Sequence, residues 1–246
     1  DSREARDDAE APPCVFLLLC VSPLLTPGAA KNNNLYREYI GALFNNVTFS
    51  DVPINPHVQF HFILSFAIDY TNLTSPLPTN GEFGIFWDAS NLSLAHVLAI
   101  KKRHPNVKVA VSIGGDSVGG LPAYFNITTE NSWVSNAVPV PHEDHQTLPF
   151  GWSRCGLRAL QGGSPNVCQF LGYYRNQTLN YKGGKVLVSF ESDEQRGLTP
   201  KTGFFVACEK LKKRGQLYGI FTWCADASKP QGFVSEIRSQ SLLAQL

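Results

Sequence analysis

Apolar residues along the chain fall in short runs separated by polar stretches rich in Gly, Pro and Asn. Residues 58–70 are rich in Phe and Ile and read as a buried strand ending at Asp69. Residues 38–44 form a short apolar run closed by Asn45 and Asn46. Residues 71–90 read as a loop. Residues 93–104 carry apolar side chains at 94, 97, 98 and 100, a helical spacing that ends in basic residues. Residues 107–113 read as a clean buried strand, and Gly114 and Gly115 stop it. A helix is expected over 132–138. Further on, 167–174 is helix-like and 185–190 is a strand. An amphipathic helix over 203–214 stops at Gly215. Residues 217–223 are a strand, and 235–246 a last helix. Strand, loop and helix alternate without hairpin signals, which predicts an α/β fold with a parallel sheet and helices outside it. No repeat of solenoid period is present.

The chain has 246 residues, 43% of them hydrophobic, and a formal net charge of +1. This fits one globular domain, and the balanced charge implies neither a nucleic acid nor a membrane partner. There is no Met, so Asp1 is not read as a natural translation start. Residues 14–26 are apolar but too short to span a bilayer comfortably, and small residues follow at 27–30. They read as the core of a signal peptide cleaved near Ala30. The expected division is an extension over 1–30 and a single domain over 31–246. Asn-x-Ser/Thr sequons at Asn46, Asn72, Asn91, Asn126 and Asn176 fit a secretory route. The expected destination is secreted or vacuolar. Cys14 and Cys20 would leave with the leader. Cys155 lies inside the aberrant segment 141–163. Cys168, Cys208 and Cys224 remain, an odd number with no metal-ligand spacing, so no disulfide framework is indicated and one free thiol is expected.

Ser112-Ile-Gly-Gly-Asp116 closes a buried strand, and its glycines allow a tight turn and close approach of a ligand. Alone it is as readily an ordinary strand-to-helix turn. It is joined by Tyr39-Ile-Gly41 at one strand start, Phe66-Ala-Ile-Asp69 at another strand end, and Gly219-Ile-Phe-Thr-Trp223 near the end. With these motifs the chain resembles the plant chitinases of glycoside hydrolase family 18, most closely the monocot bulb type. The resemblance covers about residues 33–138 and 168–246. It implies a (β/α)8 TIM barrel with its site at the carboxyl ends of the strands. It also implies a substrate-assisted, retaining reaction on β-1,4-linked N-acetylglucosamine, in chitin or its oligosaccharides, with no cofactor or metal. In that reaction a Glu protonates the glycosidic oxygen, and the substrate's acetamido oxygen attacks the anomeric carbon. Paired Asp residues orient the acetamide and help hold the acid's pKa near working pH.

Residues 141–163 occupy the place of the catalytic strand and carry no strand pattern. Matched position by position, the family acid falls at Arg158. The two inner Asp positions fall at Gly156 and Arg154, and the outer Asp at Gly151. Arg is permanently cationic and cannot protonate a leaving group. Back-translated and read one nucleotide forward, the segment is compatible with an amphipathic helix running into Asp-Gly-Leu-Asp-Val-Asp-Tyr-Glu, the signature of the family. Trp152 then gives Gly, and Cys155 gives Val or Ala. Gly151, Arg154, Gly156 and Arg158 can give Asp, Asp, Asp and Glu. The segment over 139–168 is therefore read as frameshifted. The strands that should follow the catalytic one have no counterpart between Gly163 and Val167. Without the leader the chain would have 216 residues (246 less 30), below the ~250 of a typical barrel.

The resemblance leaves part of a sugar-binding floor. Trp223 matches the family Trp that supports the sugar at the cleavage site. Tyr39 and Phe66 match aromatic positions on the first two strands, and Ser112, Gly114 and Gly115 line the same face. Trp87 reads as a further platform or a hydrophobic plug. His142 and His145 lie inside the shifted segment and are not read as metal ligands. Lys210, Lys212, Lys213 and Arg214 read as a solvated helix end. The expectation is an incomplete barrel without turnover. The alternative is a carbohydrate-binding or storage protein on the same barrel.

Overall fold

The computed structural model describes residues 32–71, 75–113, 117–118, 121–122, 132, 165–181, 185–194 and 197–246. All fall within the compact unit Lys31–Leu246. The expected leader, Gly114, Gly115, Gly151, Arg154, Gly156 and Arg158 lie outside the described residues. Of the helix expected over 132–138, Ser132 alone is described, and it is helical.

The described elements are β1 (Leu35–Ile40), β2 (Gln59–Ile68), β3 (Gly84–Ile85), α1 (Leu94–Arg103), β4 (Val107–Ile113), β5 (Ser117–Val118) and β6 (Leu121–Pro122). They continue with α2 (Val167–Asn180), β7 (Val188–Glu191), α3 (Phe204–Lys213), β8 (Gly219–Trp223), α4 (Ala225–Ser228), a 3-10 turn (Lys229–Gln231) and α5 (Val234–Leu243). Five strands run parallel in the order β4, β2, β1, β8, β7. This is one arc of a (β/α)8 barrel, unclosed among the described residues: there, β4 pairs with β2 and β3 alone borders β2's far end, while β7 pairs only with β8.

The two-residue period of β1 sorts its side chains. Tyr36, Glu38 and Ile40 are fully buried, while Arg37 and Tyr39 are half-buried on the other face. In β2, Phe60, Phe62 and Leu64 take the buried outer side. Their rings knit together: Tyr36 lies 5.1 Å from Phe60, Phe60 4.6 Å from Phe62, and Phe62 4.9 Å from Phe49. On the same side, Phe190 of β7 meets Phe204 of α3 at 4.9 Å, and Phe204 meets Phe170 of α2 at 6.1 Å. Phe204 is fully buried, and losing its ring would cost about 3–5 kcal/mol. The inner face is left to Arg37, Tyr39, His61, Ser112, Phe221 and Trp223.

Several expectations need correction. Tyr39-Ile-Gly41 closes β1 rather than opening it, because the strand begins at Leu35. The main sheet is not purely parallel, because β3 runs antiparallel to β2, and β5 and β6 form a separate antiparallel pair. The segment 185–190 enters the sheet only at Val188, and Lys185 lies instead over the Tyr218 ring at 4.3 Å. In α1, Leu94 and Leu98 are exposed and Ile100 is buried, since the two leucines share a row turned away from the Ile100 edge. The helix-like stretch expected over 167–174 is α2, which runs on to Asn180. Asn166 caps α2 by accepting from the Gln169 N–H at 3.0 Å, and the Gln169 side chain accepts from the Asn166 N–H at 2.9 Å.

Unpaired edges of apolar parallel strands are templates for association. The purified chain is expected to self-associate and to lack one sharp thermal transition. Light scattering across a dilution series checks this. A monomer at all concentrations with a single cooperative melt would contradict it.

Candidate functional site

Strand register assembles the site. Tyr39 is the penultimate residue of β1, one beyond the Glu38↔Thr222 pair, so it stands beside Trp223. Glu191 pairs with Trp223, and Ser65 pairs with Ser112. Between Ser65 and Ala67 the β2–β4 register shifts, and Phe66 is the extra residue. A bulge of this kind re-aims a side chain, and Phe66 joins the inner face.

Four sequence-predicted residues come together there. The Tyr39 ring lies 5.0 Å from Trp223 and 6.0 Å from Phe66, and Phe66 stacks on Trp223 at 6.0 Å and 30°. The Tyr39 hydroxyl and Ser112 Oγ share a hydrogen bond of 3.2 Å across the intervening β2. Burial raises the Tyr39 pKa, while Ser112 and Arg37 pull it back, so the phenol stays neutral and able to donate. Phe221 meets Tyr39 edge-on at 5.2 Å. The cluster is half-buried, with Trp223 and Phe66 both partly open to solvent. An aromatic floor with a hydroxyl rim suits the apolar face and polar edge of a sugar ring.

Trp87 packs close to Gly41 through its Cβ. A Cβ on Gly41, whose φ is +89°, would lie 2.8 Å from Trp87 Cβ and 2.9 Å from Leu92 Cδ1, so the loop packs directly on this glycine. Gly41 therefore serves both its left-handed turn and that contact.

Two groups escaped the sequence reading. Phe221 follows from period two within β8, two residues before Trp223. Glu191 stands one residue beyond the expected strand 185–190. Phe190 faces the helices, so Glu191 faces inward beside Trp223, where it is 9% exposed. Deeper on the inner face, Arg37, His61 and Lys108 align across β1, β2 and β4. Burial, with Arg37 and Lys108 nearby, holds the His61 pKa down at about 4. Arg37 Nε and His61 Nε2 are buried without hydrogen-bond partners.

On the outer face a buried acidic group backs the site. Asp226 accepts backbone N–H bonds from Gly41 at 2.8 Å, Ala42 at 3.3 Å and Leu43 at 3.3 Å. Glu236 accepts from the hydroxyls of Ser192, at 3.0 Å, and Ser228. Glu38 is fully buried and neither of its oxygens has a partner. Burial raises its pKa well above the carboxylate range, and Glu236 and Asp226 add to the effect.

A cleft of about 550 Å³ lined by Ser192, Lys201, Phe205, Gln231 and Arg238 shares none of the aromatic floor. Among the described residues, no group of three or more metal-ligating side chains occurs.

Parallel strands with helices outside, and an aromatic cluster at the carboxyl ends of those strands, define a (β/α)8-barrel protein with its ligand face in the usual place. No family model matches the chain. It is 40% identical over 304 aligned positions to Chitinase 1 of Tulipa saxatilis subsp. bakeri, covering 97% of this chain and 96% of the relative. It is similar in structure to the family 18 chitinase of Crocus vernus, with TM-score 0.74 and 36% identity over 85% of this chain and 99% of the other. The catalytic domain of a family GH18 chitinase from the fern Peteris ryukyuensis gives TM-score 0.73 and 35% identity, with the same coverages. The chain belongs to the glycoside hydrolase family 18 chitinases.

The raised pKa of Glu38 sets a pH dependence. Folded Glu38 holds its proton above the pH at which the unfolded side chain loses it. Its contribution is therefore full below the ordinary glutamate range and is lost as pH rises toward the folded value. Glu38→Gln keeps the shape and removes the charge. Wild type and variant are expected to resist urea-dependent proteolysis equally near pH 4, with the variant more resistant at pH 8. An equal difference between the two proteins at both pH values would contradict this.

Proposed function

We propose that this chain binds β-1,4-linked N-acetylglucosamine oligosaccharides on the floor made by Tyr39, Phe66, Ser112 and Trp223, and that it does not hydrolyse them. The observation that carries the binding half is the half-open aromatic cluster around Trp223, with the Tyr39–Ser112 hydroxyl pair at its rim. The chitinase relatives support the choice of sugar.

The second half rests on the sequence at the family's carboxylate positions, where Gly151, Arg154, Gly156 and Arg158 stand. The alignment with the tulip protein spans 304 positions and the chain has 246 residues, so at least 58 positions (304 less 246) have no residue here, which is compatible with an internal deletion. The loss of all four carboxylates within residues 151–158 favours a frameshifted and internally deleted chitinase, in the gene or in its reading, over a selected lectin or storage protein. A secretory route is part of the proposal, supported by the apolar run over 14–26 and by the exposed sequon residues Asn46 and Asn176.

Purified chain is expected to give no release of product from chitin oligomers. Loss of a general acid alone typically costs about 10²–10⁴-fold. Turnover sensitive to a family inhibitor would overturn the inactive reading, and its disappearance in Glu191→Gln would name Glu191 as the acid. Trp223→Ala is expected to weaken oligosaccharide binding about tenfold or more, measured by ligand-observed NMR. Unchanged affinity would remove Trp223 from the floor.

The transcript is expected to hold Asp and Glu codons in the alternative frame at 151, 154, 156 and 158, with one nucleotide gained or lost between codons 137 and 141. Sequencing checks this. Third-position bases that forbid those codons would refute the frameshift.

A further inference from the structure

Beyond β1 the chain turns through Gly41, and Asp226 grips the next three N–H groups. That grip presents Phe44 in a fixed place. Its backbone is left-handed, with φ 55°, a conformation that bulky residues seldom adopt. Its side chain is 51% exposed. Neither feature serves the core, and a strained backbone holding an aromatic ring in solvent is a pointer to function.

The ring has a defined neighbour. Phe44 meets Phe86 edge-to-face at 5.1 Å and 83°. Phe86 is tied to the site, since its N–H donates to the Phe66 carbonyl at 2.8 Å. Phe66 and Phe86 pack on the same buried pair, Ile68 and Tyr70, and Phe66 stacks on Trp223. A line of aromatic side chains thus runs from Trp223 through Phe66 and Phe86 to Phe44, joined between Phe66 and Phe86 by the backbone hydrogen bond and the shared Ile68–Tyr70 pair. Leu43 and Ile85, each about half exposed, flank its outer end.

We propose that Phe44 and Phe86 form an outer sugar platform, which takes the apolar face of an N-acetylglucosamine unit further along an oligosaccharide whose inner unit lies on Trp223. The proposal rests on the binding reading above. It names where the longer substrate runs: over the exit loop of β1 and the β2–β3 connection. Two rings at a right angle form a corner that leaves a ring face free for stacking, and stacking on aromatic faces needs no particular polar partner.

Affinity against oligosaccharide length tests it. Dissociation constants for N-acetylglucosamine oligomers from dimer to hexamer would be measured by ligand-observed NMR on the full chain and on Phe44→Ala, Phe44→Tyr and Trp223→Ala. Phe44 is exposed, so its variants should fold, and near-ultraviolet circular dichroism would confirm it. Phe44→Ala is expected to lose about three- to tenfold in affinity for the longest oligomers and nothing for the dimer, with Phe44→Tyr restoring the loss. Trp223→Ala is expected to weaken binding at every length. Equal affinities of wild type and Phe44→Ala at every length would overturn the platform and leave the Trp223 floor standing. A loss that is the same for dimer and hexamer would also overturn it, because the effect would then be structural. A wild-type chain that binds no oligomer would overturn the floor and the platform together.

Discussion

The fold hangs on the pairing of its first strand with its last. Leu35 meets Gly219 and Glu38 meets Thr222 across most of the chain's length. Closing so long a loop costs entropy, which must be offset by contacts that no local segment supplies. A hydrogen bond of 2.9 Å between the buried Tyr36 and Thr222 hydroxyls is one. Asn32 adds two more, donating to the Lys212 carbonyl and accepting from the Leu217 N–H. Asp226 locks the exit loop of β1 to the helix that follows β8. Gly219 makes the approach possible: a Cβ there would lie 2.3 Å from the Leu35 carbonyl oxygen. The site follows from this pairing, because only it sets Tyr39 beside Trp223.

Most of this architecture was legible in the sequence where one residue type has one use. The run 107–113 is the observed β4 residue for residue, but of the expected buried strand only Val107 is buried, because among the described residues β4 pairs with β2 alone. Tyr39, Phe66, Ser112 and Trp223 were named together and stand together. What escaped depends on partners distant in sequence. The inward turn of Phe66 needs the register shift against β4. The isolation of Glu38 needs the helices that bury it, since period two alone reads it as an ordinary strand residue. The exposure of Leu94 and Leu98 could not be read from helical spacing, which fixes that an apolar stripe exists but not which edge of it meets the sheet.

The two faces of β1 carry opposite electrostatic problems. Outside, burial first and the neighbouring Glu236 and Asp226 second raise the pKa of the unpartnered Glu38, favouring its protonated form. Inside, the deep row contributed by the five parallel strands is Lys108, His61, Arg37, Phe221 and Ser189. Three of these are basic and none is acidic. His61 meets the conflict by staying neutral, but Arg37 cannot.

The carboxylates implied by the family resemblance belong to a strand whose place in this sequence is taken by Gly151, Arg154, Gly156 and Arg158. Under the proposed reading, one shifted frame would replace all four in a single event, whereas selection for binding without cleavage would need to lose only the acid. The aromatic floor does not depend on that segment, because its residues come from β1, β2, β4 and β8, which lie on either side of it in the sequence.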